Sequence, residues 1–201
     1  MTLELVPHLV QLTAAVVRFD EPALRAFAEE HAAESASVEL RETLLQAHLF
    51  CGFPRTLAAL DALRVAGLSL SEPAVVPPRL PLDDERARGA ELFDRIYGDG
   101  ADDVRTHLVA LDPAFARWIG DHAYGRVLSR PALGASTREL LAVAALVATG
   151  HDRQLASHVR GAVRCGARSE DVDAVLDAIA EDVPAENMER ARQVVSRFAR
   201  D

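Results

Sequence analysis

Nine consecutive apolar residues, Leu140 to Ala148, closed by Gly150, constrain the fold of this chain more than any other feature. The run is less than half the ~20 residues a helix needs to cross a bilayer. Built from Leu, Ala and Val, it reads as a helix that is apolar on nearly every side, and such a helix must be enclosed by others. Gly150 stops it, and an amphipathic pattern restarts at Asp152. The segment therefore predicts a helical hairpin over about 137–149 and 152–164.

The same punctuation recurs along the chain. Pro7 and Pro22 suit first-turn positions, the latter with Asp20 as its cap. A helix over 37–50 stops at Cys51-Gly52, and Pro54 opens another that closes at Gly67. Pro73, Pro77, Pro78 and Pro81 make 69–82 a connector that no helix can pass through. Asp83 or Asp84 starts a helix reaching Tyr97, Asp112-Pro113 one reaching about 128, and two more are expected over 170–180 and 184–199. Since no period-two strand pattern appears, the expected fold is all-α. A helical half (1–68), a connector (69–82) and a second helical half (83–201) are expected to pack as one unit.

Composition agrees and narrows the function classes. Hydrophobic residues make up 49% but aromatics only 5%, so Ala, Leu and Val must build the core and let helix axes approach closely. The net charge is −9, with no basic cluster to attract nucleic acid. All 22 basic residues are Arg, which removes lysine Schiff-base chemistry. Cys51 and Cys165 lie far apart, outside any Cys-x-x-Cys or zinc spacing, and read as free thiols. Glu4, His8 and Gln11 interrupt the apolar N-terminus, which does not read as a signal peptide. A cytoplasmic protein without membrane or nucleic-acid partners is expected.

Two stretches parallel each other. Arg41-Glu42-x-Leu44, Gly52-x-x-Arg55-x-Leu57-Ala58 and Gly67 align with Arg138-Glu139-x-Leu141, Gly150-x-x-Arg153-x-Leu155-Ala156 and Gly166. This reads as a duplicated helical unit. His158 falls opposite Leu60 and Glu139 opposite Glu42, so only the second copy pairs an acid with an imidazole.

Glu139 and His158 are accordingly the candidate catalytic residues. An antiparallel hairpin brings the start of one helix towards the end of the next, where a carboxylate and an imidazole under apolar walls can exchange protons. Glu139 has a competing account: Ser136-Thr137-Arg138-Glu139 has the form of a capping box. His158 has one too, as a residue packed against the core. Arg130 and Arg153 are candidate carboxylate anchors, each also explicable as a surface ion pair. Tyr124, Tyr97 and Trp118 are read as core or pocket-wall aromatics and His151 as a residue at the helix turn, while His107 and His122 have no evident partner. No metal site is expected, because no His and carboxylate residues recur at ligand spacing.

Several motifs together resemble the carboxymuconolactone decarboxylase family, with its alkylhydroperoxidase-D-like fold. They are Arg88-Gly89-x-Glu91, Ile96-Tyr97-Gly98, Tyr124-Gly125-Arg126-Val127-x-Ser129-Arg130-Pro131-x-Leu133 and the segment from Arg138 to Gly166. Leu44-Leu45-Gln46 and Cys51-Gly52-Phe53-Pro54-Arg55 resemble a stretch usually found later in such chains, in keeping with two copies. The peroxidase branch carries Glu-x11-Cys-x2-Cys-x3-His; here the frame reads Glu139-x11-His151-x2-Gln154-x3-His158, without either cysteine. The resemblance implies a homo-oligomer, trimeric or hexameric. It also implies cofactor-free decarboxylation of a small carboxylated lactone, with Glu139 and His158 handling the proton and Arg130, Arg153, Tyr124 and His151 around the substrate. Two alternatives stand beside it: a non-catalytic helical oligomer, and a thiol-dependent peroxidase using Cys51 and Cys165.

Overall fold

The computed structural model describes residues 6–34, 37–68, 70 and 80–199. Most of the predicted connector, 69–82, lies outside them. The described chain is helical throughout, with no strand among the described residues. In order come α1 (Val6–Arg18), α2 (Glu21–Glu30), α3 (Val38–Val65), α4 (Leu82–Tyr97), α5 (Ala101–Leu111) and α6 (Pro113–Trp118). The last of these continues as a π-helix, Ile119–Leu128. Then follow α7 (Ala135–Thr149), α8 (Asp152–Arg164), α9 (Ser169–Ala178) and α10 (Ala185–Phe198).

Much of the predicted punctuation acts where it was placed, but α4 begins at Leu82 with Pro81 at its N-cap, so Asp83 and Asp84 lie within its first turn and do not cap it. Asp20 accepts a hydrogen bond from the Ala23 amide and caps α2, and Ser37 does the same for α3 through Leu40. α3 is broken at Gly52, which sits at φ +76° before Pro54. α5 is an element the sequence pattern did not reveal. Trp118, expected in the interior, is 67% exposed, and Phe115 beside it is exposed as well.

The all-apolar run behaves as required: every side chain of α7 from Thr137 to Ala148 is buried. α1 packs between α3 and α7, and its Leu9, Val10, Leu12 and Val16 are fully enclosed. One core joins α1–α3 to α7–α10; a smaller cluster of Phe93, Ile96, Ala101, Tyr124, Leu128 and Cys165 lies under α4, α5 and the π-helix. α4 crosses the π-helix backbone to backbone, since a Cβ on Gly89 would stand 2.5 Å from the Gly125 nitrogen.

The paralleled glycines carry matching turns. The Leu68 amide bonds back to the Leu63 carbonyl and Ala167 to Ala162, with Gly67 at φ +100° and Gly166 at φ +101°. Both helices thus end in the same six-to-one closure around a left-handed glycine.

Candidate functional site

Gly150, at φ +72°, turns α7 back onto α8. Glu139, near the start of α7, thereby comes level with the second half of α8. Gly161 supplies the space for it: a Cβ there would fall 2.4 Å from Glu139 Oε2 and 2.8 Å from Ile96 Cγ2. The carboxylate lies over the Gly161 backbone and accepts a 2.9 Å hydrogen bond from Nδ1 of His158, one turn earlier on the same helix. Glu139 is 1% and His158 12% exposed in their side chains. Phe50 meets the imidazole edge to face.

The capping-box account of Glu139 is therefore corrected. The N-cap of α7 is Gly134, without a side-chain cap, which moves Glu139 beyond the capping turn and aims it at α8. Its other oxygen, Oε1, is buried with no hydrogen-bond partner among the described residues. A buried acceptor in that condition is costly and points to something that fills it.

The electrostatics of the pair follow from its burial. Enclosure disfavours a charged imidazole, but the charge and hydrogen bond of Glu139 outweigh it and hold the His158 pKa above the ordinary histidine value. With Nδ1–H committed to Glu139, Nε2 is the atom that can give or take a proton.

Neutral protic groups line the same region. Tyr124 is buried, and its hydroxyl donates to that of Tyr97 at 3.0 Å. Burial, seconded by the Glu139 charge, raises both phenols, so both stay protonated. Cys165 is pushed to about 11 by burial and Glu139. It remains a thiol, and Cys51 lies free beside the other core cluster.

The other predicted site residues lie elsewhere. Arg130 is taken up by Glu42, donating through Nε and Nη2 at 2.6–2.9 Å. Arg138 joins it, giving Nη2 to Glu42 at 2.8 Å and Nη1 to Gln46, while the Gln46 amide donates to the Arg138 carbonyl. Burial alone would raise Glu42, but the two guanidinium groups hold it below the usual carboxylate range. Glu42, the counterpart of Glu139, is thus neutralised by arginines instead of facing an imidazole. Arg153 is exposed and meets His107 at 3.4 Å, and the His151 ring contacts Thr149 Oγ1 at 2.8 Å. Neither is brought to Glu139. His122, which had no evident partner, packs its Nε2 2.7 Å from that of His48.

Three cavities lie away from the pair. One of about 340 Å³ has Tyr124 in its wall, one of about 240 Å³ lies between α4 and the turn after the π-helix, and an apolar one of about 730 Å³ lies beside His48, Phe53 and His122. Neither Glu139 nor His158 lines any of these. Among the described residues no three His, Cys, Asp or Glu side chains gather as metal ligands, and no helix is long and apolar enough to cross a membrane.

Comparison with known proteins bears on the same region. Residues 113–197, which contain both members of the pair, match the model of the carboxymuconolactone decarboxylase family. Over 155 residues the chain is 30% identical to Peroxisomal protein 2 of Schizosaccharomyces pombe, covering 72% of this chain and 68% of that one.

Proposed function

The chain belongs to the carboxymuconolactone decarboxylase family, and from that premise we propose that Glu139 and His158 are its proton-transfer pair, acting in cofactor-free decarboxylation of a small carboxylated lactone. The observation that carries this reading is the 2.9 Å contact between a buried carboxylate and an imidazole, with one carboxylate oxygen left unpartnered.

The chemistry asks for a proton on carbon. As the carbon–carboxylate bond breaks, its electron pair enters the conjugated lactone carbonyl and carbon dioxide leaves. The proton on Nε2 of the imidazolium then moves to carbon, leaving a neutral ring that Glu139 continues to orient. A raised His158 pKa suits the acid role near neutral pH. Oε1 of Glu139 is the acceptor open to a substrate hydrogen-bond donor.

In this reading the active unit is the second copy of a duplication, supported by the twin glycine closures after Leu63 and Ala162 and by Leu60 standing where His158 would be. A homo-oligomer, trimeric or hexameric as the family resemblance implies, is part of the proposal, and the exposed Phe53, Leu57, Phe115 and Trp118 support a surface that meets other copies.

One observation favours a second reading, a non-catalytic member of the fold: the cavities described above bypass the pair. A screen of lactone acids for carbon dioxide release separates the two. The proposal expects turnover that His158→Gln abolishes while the circular-dichroism spectrum stays helical. Full activity in that variant, or no release from any lactone acid, overturns it.

A further inference from the structure

The motifs Arg88-Gly89-x-Glu91 and Ser129-Arg130-Pro131 have no part in the proton-transfer pair, yet the fold brings them face to face. Arg88, Glu91, Leu92 and Arg95 lie along one face of α4, spaced by three and four residues, and look across at the turn that follows the π-helix. Between them is the cavity of about 240 Å³. Its walls are fixed by the Gly89–Gly125 crossing, where no side chain can be added without separating the two backbones.

Each guanidinium at this cavity is oriented by one protein contact and keeps donors over. Arg88 gives Nε to Ser129 Oγ at 3.0 Å, and Ser129 in turn donates to the Gly125 carbonyl at 2.8 Å. Arg95 gives Nη2 to the Cys165 carbonyl at 3.2 Å. Arg130 commits Nε and Nη2 to Glu42, which leaves Nη1. In the wall itself three guanidinium groups meet a single carboxylate, that of exposed Glu91. In a chain of net charge −9 this local excess of positive charge is out of character. Its effect reaches Arg138, whose guanidinium is held below its ordinary range chiefly by burial, which the hydrogen bond and charge of Glu42 only partly offset, with smaller repulsion from Arg130 and Arg88.

We propose that this cavity binds a compact, multiply charged anion, a phosphate or a small dicarboxylate, through Arg88, Arg95 and Arg130. Guanidinium groups present paired donors that match the oxygens of either. With water occupying ~30 Å³ per molecule, the space admits an anion of several heavy atoms. Arg88 and Arg95 carry the specificity, because Arg130 is shared with Glu42. The site is separate from Glu139 and His158 and stands whether or not those residues are catalytic.

Isothermal titration of the full chain with inorganic phosphate and, separately, with succinate tests this, each against sodium chloride of matched ionic strength. The expected result is saturable binding of at least one probe, and comparison of the two arms shows which oxygens are preferred. Replacing both arginines (Arg88→Met with Arg95→Met) should weaken binding at least tenfold, while Arg117→Met, outside the cavity wall, should leave it unchanged. Should the double variant lose its helical spectrum, the exposed Arg95→Met alone carries the test, with a weakening of several-fold expected. The proposal is overturned if neither probe binds beyond the chloride control, or if a folded variant binds as the native chain does.

Discussion

Gly161→Ala tests the packing that brings Glu139 to His158. The new Cβ would stand 2.4 Å from Glu139 Oε2, where ordinary contact begins near 3.4 Å, so the carboxylate must retreat by about 1.0 Å. Ile96 Cγ2, at 2.8 Å, blocks relaxation of α8 on the same side. The retreat would stretch the 2.9 Å bond to His158 beyond hydrogen-bond range. Overpacking costs about 1–3 kcal/mol, and a lost bond to a charged group about 1.5–3 kcal/mol. Against these, alanine gains about 1 kcal/mol over glycine in a helix. The net is a loss of about 1.5–5 kcal/mol, which for a chain of this size lowers Tm by on the order of 3–20 °C. The assay is urea and thermal unfolding of a four-member cycle with Glu139→Ala. In that background Oε2 and its bond are already gone, so adding alanine at position 161 should cost no more than about 1 kcal/mol. Equal destabilisation in both backgrounds, or a native-background variant that is stabilised, would refute the packing argument.

Other outcomes follow from the same structure. Glu42→Gln leaves buried Arg138 without its counter-charge and should cost about 3–5 kcal/mol in urea unfolding at pH 7. Because Glu42 has a depressed pKa when folded, its contribution is present above the ordinary value of 4.5 and lost as pH falls through the lower folded value; the native chain should weaken in that acid window and the variant far less. His158 has the opposite sign: with its folded pKa raised, its stabilisation is complete below pH 6.5 and lost as pH rises through the folded value, a trend that Glu139→Gln should remove from stability curves. Cys165, pushed to about 11 and buried, should resist iodoacetamide at pH 8 until the chain is unfolded, as read by mass spectrometry; rapid labelling of the native protein would contradict its placement.

Much of this arrangement is written locally in the sequence. Asp20, Ser37, Gly52, Gly67, Gly150 and Gly166 each act on their own few residues, so helix limits could be read from them. The meeting of Glu139 with His158 was legible for the same reason, since one short turn joins their helices. α5 is the harder element to read: its stripe of Ala101, Val104, Leu108 and Leu111 has helical spacing, but only Ala101 is buried, Val104 and Leu108 are partly buried against the smaller cluster, and Leu111 is exposed. The capping box at Ser136 failed because Gly134, with no side chain at all, begins the helix two residues earlier than a Ser136 cap allows. The Arg138–Glu42 pair joins helices 96 positions apart, a distance over which spacing says nothing. Trp118 reads as a core or pocket-wall aromatic, yet it packs edge to face with Phe115 and both stay largely exposed.

Whether Glu139 and His158 act as one proton-handling unit is tested most directly by titrating the His158 ring by NMR in the native chain and in Glu139→Gln. The account predicts a native pKa above 6.5 and a variant value below it, because burial persists after the opposing charge is gone. Identical titrations in the two proteins would contradict it.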